Sequence, residues 1–420
     1  MKSSTAANQA ALTKEPFTGY QVFVIAILAF LQFTIILDFM VMAPLGEILT
    51  KQMQINPKEF SWVVSAYAFS AGISGLLAAG FADKYDRKKL LLFFYVGFLV
   101  GTLLCGIANN YYFLLGARIV TGIFGGVVGS ISAAIITDLF RIQQRGRVMG
   151  FVQMAFSLSQ IAGIPFSLYL AHELNWHAPF LLIVGISTAV GVVIVKWLKP
   201  VNAHLSVKQE QNPFKHLKTT LSNAFYRRAF ITTALLSIGG FLMMPFTTQF
   251  LVNNILIPEI KLPLIFMTTG LCSLAIMPIV GRYSDRVGKF RMFMFGTLIA
   301  AIMIGIYVNL GPSPVWVIML INALMFLGIM SRMIPSMALM SGIPTMKDRG
   351  AFMAINSSTQ QIAGGIASII GGLIIIQLPD GKLLHFDLVG YLGIVIMGIC
   401  AVLMWSINKA VSKKVHQAEP

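Results

Sequence analysis

Apolar runs of about twenty residues, separated by short polar or charged joints, recur along the whole chain. One such run is what an α-helix needs to cross about 30 Å of hydrocarbon at 1.5 Å per residue. The pattern predicts twelve spans: 20–44, 60–80, 90–108, 112–137, 148–171, 178–198, 229–252, 263–281, 291–310, 314–340, 351–377 and 387–407. The longest polar stretch, Lys199 to Arg228, separates the first six from the last six. The expected organisation is a tail at 1–19, a six-helix bundle at 20–198, a linker at 199–228, a second bundle at 229–407 and a tail at 408–420. The predicted fold class is an all-α membrane protein with twelve transmembrane helices.

Composition agrees with lipid as the main solvent: of 420 residues, 57% are hydrophobic and 11% charged, against about 25% charged in a soluble domain. The net charge of +16 would suggest nucleic acid in a soluble protein. Here it follows topology instead. With the N-terminus placed in the cytoplasm, 25 of the 31 Lys and Arg fall in tails, linker or cytoplasmic joints, only Lys51, Lys58, Lys261 and Lys382 fall in outer joints, and Arg118 and Arg332 lie within spans. That bias sets both ends inside by the positive-inside rule. Trp62, Trp176 and Trp316 lie at outer span ends and Trp197 and Trp405 at inner ends, where an indole buries its ring and wets its N–H. Cys105, Cys272 and Cys400 are too scattered for a disulfide framework or metal cluster.

An internal repeat divides the chain in the same place. Ser157-Leu158-Ser159-Gln160-Ile161-Ala162-Gly163 recurs as Ser358-Thr359-Gln360-Gln361-Ile362-Ala363-Gly364, Arg145-Gly146 as Arg349-Gly350, and Asp83 as Asp285. Offsets of 201 to 204 residues indicate a duplicated six-helix unit, with both copies in one orientation because six is even. The joint after the eighth span reads Gly281-Arg282-Tyr283-Ser284-Asp285-Arg286-Val287-Gly288-Lys289 and the joint after the second Ala79-Gly80-Phe81-Ala82-Asp83-Lys84-Tyr85-Asp86-Arg87-Lys88. Both resemble the Gly-x-x-x-Asp-Arg-x-Gly-Arg/Lys loop of the major facilitator superfamily. Ala79 and Asp86 replace both glycines in the first copy, which makes a positive-φ turn less assured there. The resemblance implies the major facilitator fold and a cytoplasmic gate in which Asp83 with Arg87 and Lys88, and Asp285 with Arg286 and Lys289, hold the outward-open state. The same charges would also serve as plain topological markers.

Two spans carry ionisable residues of their own. Asp38 precedes Pro44 by six residues and Arg118 follows Tyr112 by six, so each sits about 9 Å below the outer boundary. Charges at one depth can pair, and a charge in a span normally faces a cavity or a partner. Arg118-Ile119-Val120-Thr121-Gly122 and Asp38 on the first span resemble the proton-coupled members, most closely the twelve-helix drug:proton antiporter branch. By that resemblance Asp38 carries the coupling proton and Arg118 tunes it; the alternative is a permanent structural ion pair. Gly163-Ile164-Pro165 matches the antiporter Gly-Pro motif only in part. Arg332 either contacts an anionic or polar substrate or snorkels inward, and Glu47 is expected to be a solvated mouth residue.

Gln32, Met40, Gln153, Phe156, Gln160, Gln249, Asn322, Asn356 and Gln360 are candidates to line a substrate cavity, since an intramembrane amide facing lipid would go unsatisfied. Gly122 with Gly126, Gly125 with Gly129, and Gly364, Ser368 and Gly372 suit close helix packing. Enzyme activity is not expected. No phosphate-cradling Gly-x-x-x-x-Gly-Lys-Ser/Thr string occurs, and His172 and His177 are five apart, so they diverge by about 140° on a helix. The implied function is a monomeric secondary active transporter in a bacterial inner membrane, exporting small amphipathic compounds or drugs by alternating access. It needs no cofactor, only a proton gradient, and its partners are a small-molecule substrate, protons and the bilayer, with no nucleic acid. The alternative is a proton symporter or facilitator importing a sugar, nutrient or metabolite.

Overall fold

The computed structural model describes residues 16–202, 205, 213–345 and 348–418. Twelve long helical units follow one another in chain order. The first six are α1 (Gly19–Val41), α2 (Pro57–Ala78), α3 (Arg87–Gly106), α4 (Tyr111–Leu139), α5 (Ile142–Leu158 continued as Ile164–Glu173) and α6 (Ala178–Trp197). The second six are α7 (Ala224–Phe241 continued as Thr247–Asn253), α8 (Leu262–Val287), α9 (Lys289–Val308), α10 (Val315–Ser341), α11 (Arg349–Ile374) and α12 (Phe386–Ala418). Eleven of them are long and apolar enough to cross a membrane. The other, α11, has the length but carries the polar run Asn356 to Gln361.

Local chemistry explains the helix starts. Thr18 and Gln21 form a capping box on α1, and Asn56 and Glu59 form one on α2 with Pro57 behind the cap. Asp86, Asn110 and Asn223 accept from the first free N–H groups of α3, α4 and α7. Prolines account for the interruptions. α1 stops before Pro44, and a short helix, Gly46–Met53, follows it. Pro245 lies in a 3-10 turn that divides α7. In α5 the chain relaxes into a π turn, Ser159–Gly163, just before Pro165, with the Ile164 N–H bonded to the Ser159 carbonyl.

Two boundaries differ from expectation. The polar linker contains a helix, Pro213–Ser222, and α7 begins at Ala224. The span expected over 351–377 ends at Ile374, and Ile376–Gln377 (β1) pairs antiparallel with Leu383–Leu384 (β2). The intervening Pro379-Asp380-Gly381 turn takes φ = +90° at Gly381, a value that favours glycine. Leu383 is pinned by Asn254, which bonds both its N–H and its carbonyl.

Two seams join the halves, α2 against α11 and α5 against α8. A Cβ on Gly72 would lie 2.7 Å from Ile362, and one on Gly372 would lie 2.5 Å from Ser61, so α2 and α11 touch nearly along their length. Ser65 also donates to the Gly365 carbonyl at 2.9 Å. Across the other seam Ser273 donates to Ser157 at 3.2 Å, and Gly270 leaves room for the π turn, where a Cβ would meet Ile161. Within the first half, Gly122 and Gly126 bring α4 onto Tyr67 and Ala71 of α2, as their spacing suggested. Gly129 departs from that expectation: only Gln32 comes within 4 Å of its added Cβ.

Candidate functional site

The ends of the bundle differ in charge, and we call the end that carries most Lys and Arg the basic end. Toward the opposite end, α1, α3 and α4 converge. Arg118 Nη1 lies 2.8 Å from Asp38 Oδ2, and neither side chain is exposed at all. Thr102 Oγ1 donates to the other carboxylate oxygen at 3.2 Å. The guanidinium carbon stands 4.6 Å from the ring centroid of Tyr67 on α2, a cation–π contact strengthened by the dry surroundings. Arg118 Nε and Nη2 have no hydrogen-bond partner among the described residues. The depth arithmetic therefore brought the right two charges together. It missed Thr102 and Tyr67, whose only sequence signal is a hydroxyl or phenol within an apolar run.

The end opposite the basic one is sealed between the halves. Lys51 lies 2.8 Å from Glu47 and 3.0 Å from Glu259 of the second half. Asn253 donates to Glu47 at 2.8 Å, and Gln249 reaches the Gly46 carbonyl at 3.3 Å. Glu47 is 1% exposed, which corrects its expected place as a solvated mouth residue. The short helix after Pro44 turns it inward against Asn253, a contact between halves that one strand of sequence does not reveal. Gln249 is likewise corrected from cavity lining to part of this seal. Partial burial pulls the Lys51 ammonium down, but its bonds to Glu47 and Glu259 outweigh that and hold it above the ordinary lysine range.

The remaining cavity candidates divide. Gln153 is exposed, and Gln32, Phe156, Asn356 and Gln360 are half-buried. Asn356 accepts from Thr233 at 2.6 Å. Gln160 and Asn322 are buried, each with a side-chain oxygen unpartnered among the described residues. Met40 is buried in the main hydrophobic core. Arg332 is 3% exposed, under the ring of Phe293 at 5.4 Å, so it does not snorkel out of the bundle.

At the basic end the two gate motifs take different forms. The side chain of Asp83 lies outside the described residues. Arg87 is buried, pairs with Asp138 at 3.3 Å and donates to the Ala82 carbonyl, while Lys88 donates to the Val195 carbonyl at the end of α6. All of these are first-half partners. Asp285 and Arg286 are exposed, Lys289 is half-buried and Gly281 is open to substitution, with nothing within 4 Å of an added Cβ. Gly288 takes φ = +101° ahead of α9, whereas Asp86 at the matching place has φ = −56° and caps α3 with its carboxylate. The first copy has thus exchanged a glycine turn for a side-chain cap, which is why it tolerates the loss of glycine.

The sequence matches the Major Facilitator Superfamily over residues 28–256 and 229–419. The chain belongs to that superfamily and is a membrane transporter, a class of protein that is not an enzyme. A probable sugar efflux transporter of Helicobacter pylori (strain G27) is 25% identical over 88% of this chain and 93% of its own length. Multidrug resistance protein 3 of Bacillus subtilis (strain 168) is 31% identical over 36% of this chain and 29% of its own length. Among solved structures, an inward-facing, unoccupied bacterial homolog of the human lysosomal transporter Spinster superposes with a TM-score of 0.73 at 13% identity, covering 95% of this chain and 99% of that one. The nucleoside transporter NupG gives the same TM-score at 13% identity, over 92% and 99%.

Proposed function

We propose that this protein is a proton-coupled exporter of small amphipathic compounds, working by alternating access with Asp38 as the proton carrier. The buried Asp38–Arg118 pair carries the reading. A charge pair in a span is retained against a desolvation cost that apolar side chains would avoid, and a carboxylate is the member that can give up its charge at working pH. The relatives named for sugar efflux and multidrug resistance support the export direction.

In this reading the basic end faces the cytoplasm, and the structure is the state with its outer mouth shut. In it Arg118 and Thr102 both donate to the Asp38 carboxyl group. Protonation removes the charge that Arg118 faces, so the guanidinium, with Nε and Nη2 already uncommitted, turns toward other acceptors, and α1 loosens from α3 and α4. Substrate and proton then compete for one site. One charge crossing 100 mV supplies about 2.3 kcal/mol, enough for a gradient of about 50-fold at 1.4 kcal/mol per decade. The exposed Asp285 and Arg286 fit a cytoplasmic latch that is released in this state and engages when the outer mouth opens.

The test uses acidified inside-out vesicles and a panel of lipophilic cations, neutral drugs and sugars, with lumenal pH as the readout. A rise in lumenal pH on drug addition, absent in Asp38→Asn, supports the proposal. Movement of a sugar or metabolite in wild type and mutant alike, with no drug drawing protons out, would overturn it in favour of an uptake carrier or facilitator.

A further inference from the structure

An apolar groove of about 580 Å³ runs between α1 and α5 toward the basic end. Val22, Ala26 and Phe30 form one wall and Phe151, Met154 and Leu158 the other, with Leu274 of α8 at its upper rim. Its direction can be settled from exposure. Phe151, Met154 and Leu158 continue along α5 to exposed Phe166 and Tyr169, and Leu274 continues along α8 to exposed Leu271 and Leu264. Those upper residues lie where the halves are sealed against each other, so lipid is what covers them. The groove is therefore on the bilayer face, on the other side of α5 from Gln153 and Gln160.

Its lower mouth is not apolar. Arg147 stands 4.2 Å above the ring of Phe17, which itself packs edge-on against Phe140 and Phe151. The aromatic contact fixes the guanidinium at the mouth, and no carboxylate pairs with it among the described residues. From Arg147 to Ile161 the groove follows fourteen residues of α5, about 21 Å. One leaflet of hydrocarbon is about 15 Å deep, which leaves the mouth at headgroup level.

We propose that the groove holds one acyl chain of an anionic phospholipid from the leaflet at the basic end, with its phosphate on Arg147. A planar guanidinium suits phosphate oxygens bidentately, and a wall without hydrogen-bonding groups suits a hydrocarbon chain and not a peptide. The lipid thereby clamps α1 to α5, the helices that bear Asp38 and the π turn.

Native mass spectrometry of the purified full chain, delipidated and titrated with phosphatidylglycerol or phosphatidylcholine, tests this. Wild type should retain one phosphatidylglycerol with about fivefold preference, the equivalent of about 1 kcal/mol for one basic residue at the membrane surface. Arg147→Gln should bring that preference to parity, and the charge control Arg227→Gln should leave it intact. Ala26→Trp, which fills the groove, should lower retention of both lipids. Equal retention of the two lipids by wild type, an undiminished preference in Arg147→Gln, or an equal loss in Arg227→Gln would overturn the proposal. Asp38→Asn should bind lipid like wild type, so failure of the exporter reading and failure of this site are separately visible.

Discussion

Replacing Asp38 by Asn tests whether the buried pair is a carrier or a fastening. The substitution keeps an oxygen near Thr102 but leaves Arg118, fully buried, facing a neutral amide at the distance where a carboxylate now stands at 2.8 Å. Removing one partner of a buried pair costs about 3–5 kcal/mol, because the other charge is left uncompensated. The Tyr67 ring lies 4.6 Å from the guanidinium before and after the substitution, so that contact cancels from the difference. A loss of about 3–5 kcal/mol follows, and thermal unfolding in detergent with a tryptophan readout should show it. The double variant Asp38→Asn/Arg118→Gln removes both charges and should recover most of that stability, with a coupling energy of at least about 1 kcal/mol. The two readings then part. A carrier leaves the double variant folded yet unable to exchange drug for protons, while a fastening leaves it both folded and coupled. Drug-driven proton efflux at the wild-type rate in the double variant would refute the role assigned to Asp38.

Gly126→Leu should lower the unfolding midpoint sharply and prevent transport, since even a Cβ there meets the Ala71 backbone at 2.5 Å and overpacking costs about 1–3 kcal/mol or more; Gly129→Leu, beside only Gln32, should be far milder. Asn253→Asp sets a second carboxylate against Glu47 and should open the seal, read as a longer distance between spin labels at Lys58 and Ile260. In wild type that distance should stay constant from neutral pH to about 9.5. The raised Lys51 keeps its attraction to Glu47 and Glu259 until pH climbs past the ordinary lysine range of about 10.4, and loses it only above that. At the basic end, the hydrogen bond from His216, with lesser ones from Thr345 and Tyr226, outweighs the opposing effect of burial and holds the Asp348 carboxyl below the usual carboxylate range. Its contribution is therefore present above about pH 4 and lost only as pH falls through that depressed value. Asp348→Asn should speed tryptic cleavage at Lys215 and Lys218 severalfold at neutral pH by releasing the Pro213–Ser222 helix from α11.

Much of this protein was legible along the chain. In a bilayer each spanning segment must satisfy its own backbone hydrogen bonds, so span number, span order and the six-and-six division follow from runs of apolar residues that need no partner to be recognised. Asp38 and Arg118 stood out for the same reason: a charge in such a run is costly wherever it points, and depth is a count of residues. What the chain could not show is whatever depends on two segments far apart in sequence meeting at one place. Thr102 and Tyr67 became part of the pair only when α3 and α2 packed against α1 and α4. Glu47 changed from a wetted residue to a buried one because Asn253 and Lys51 close over it, about 200 positions away from the first and one helical turn from the second. The seam glycines fall between these cases, since their spacing announced close contact but only the packing decided that Gly126 is filled and Gly129 is not. Side chains whose energetics are local were fixed by the sequence alone; those whose surroundings are built by the other half were decided by the tertiary structure.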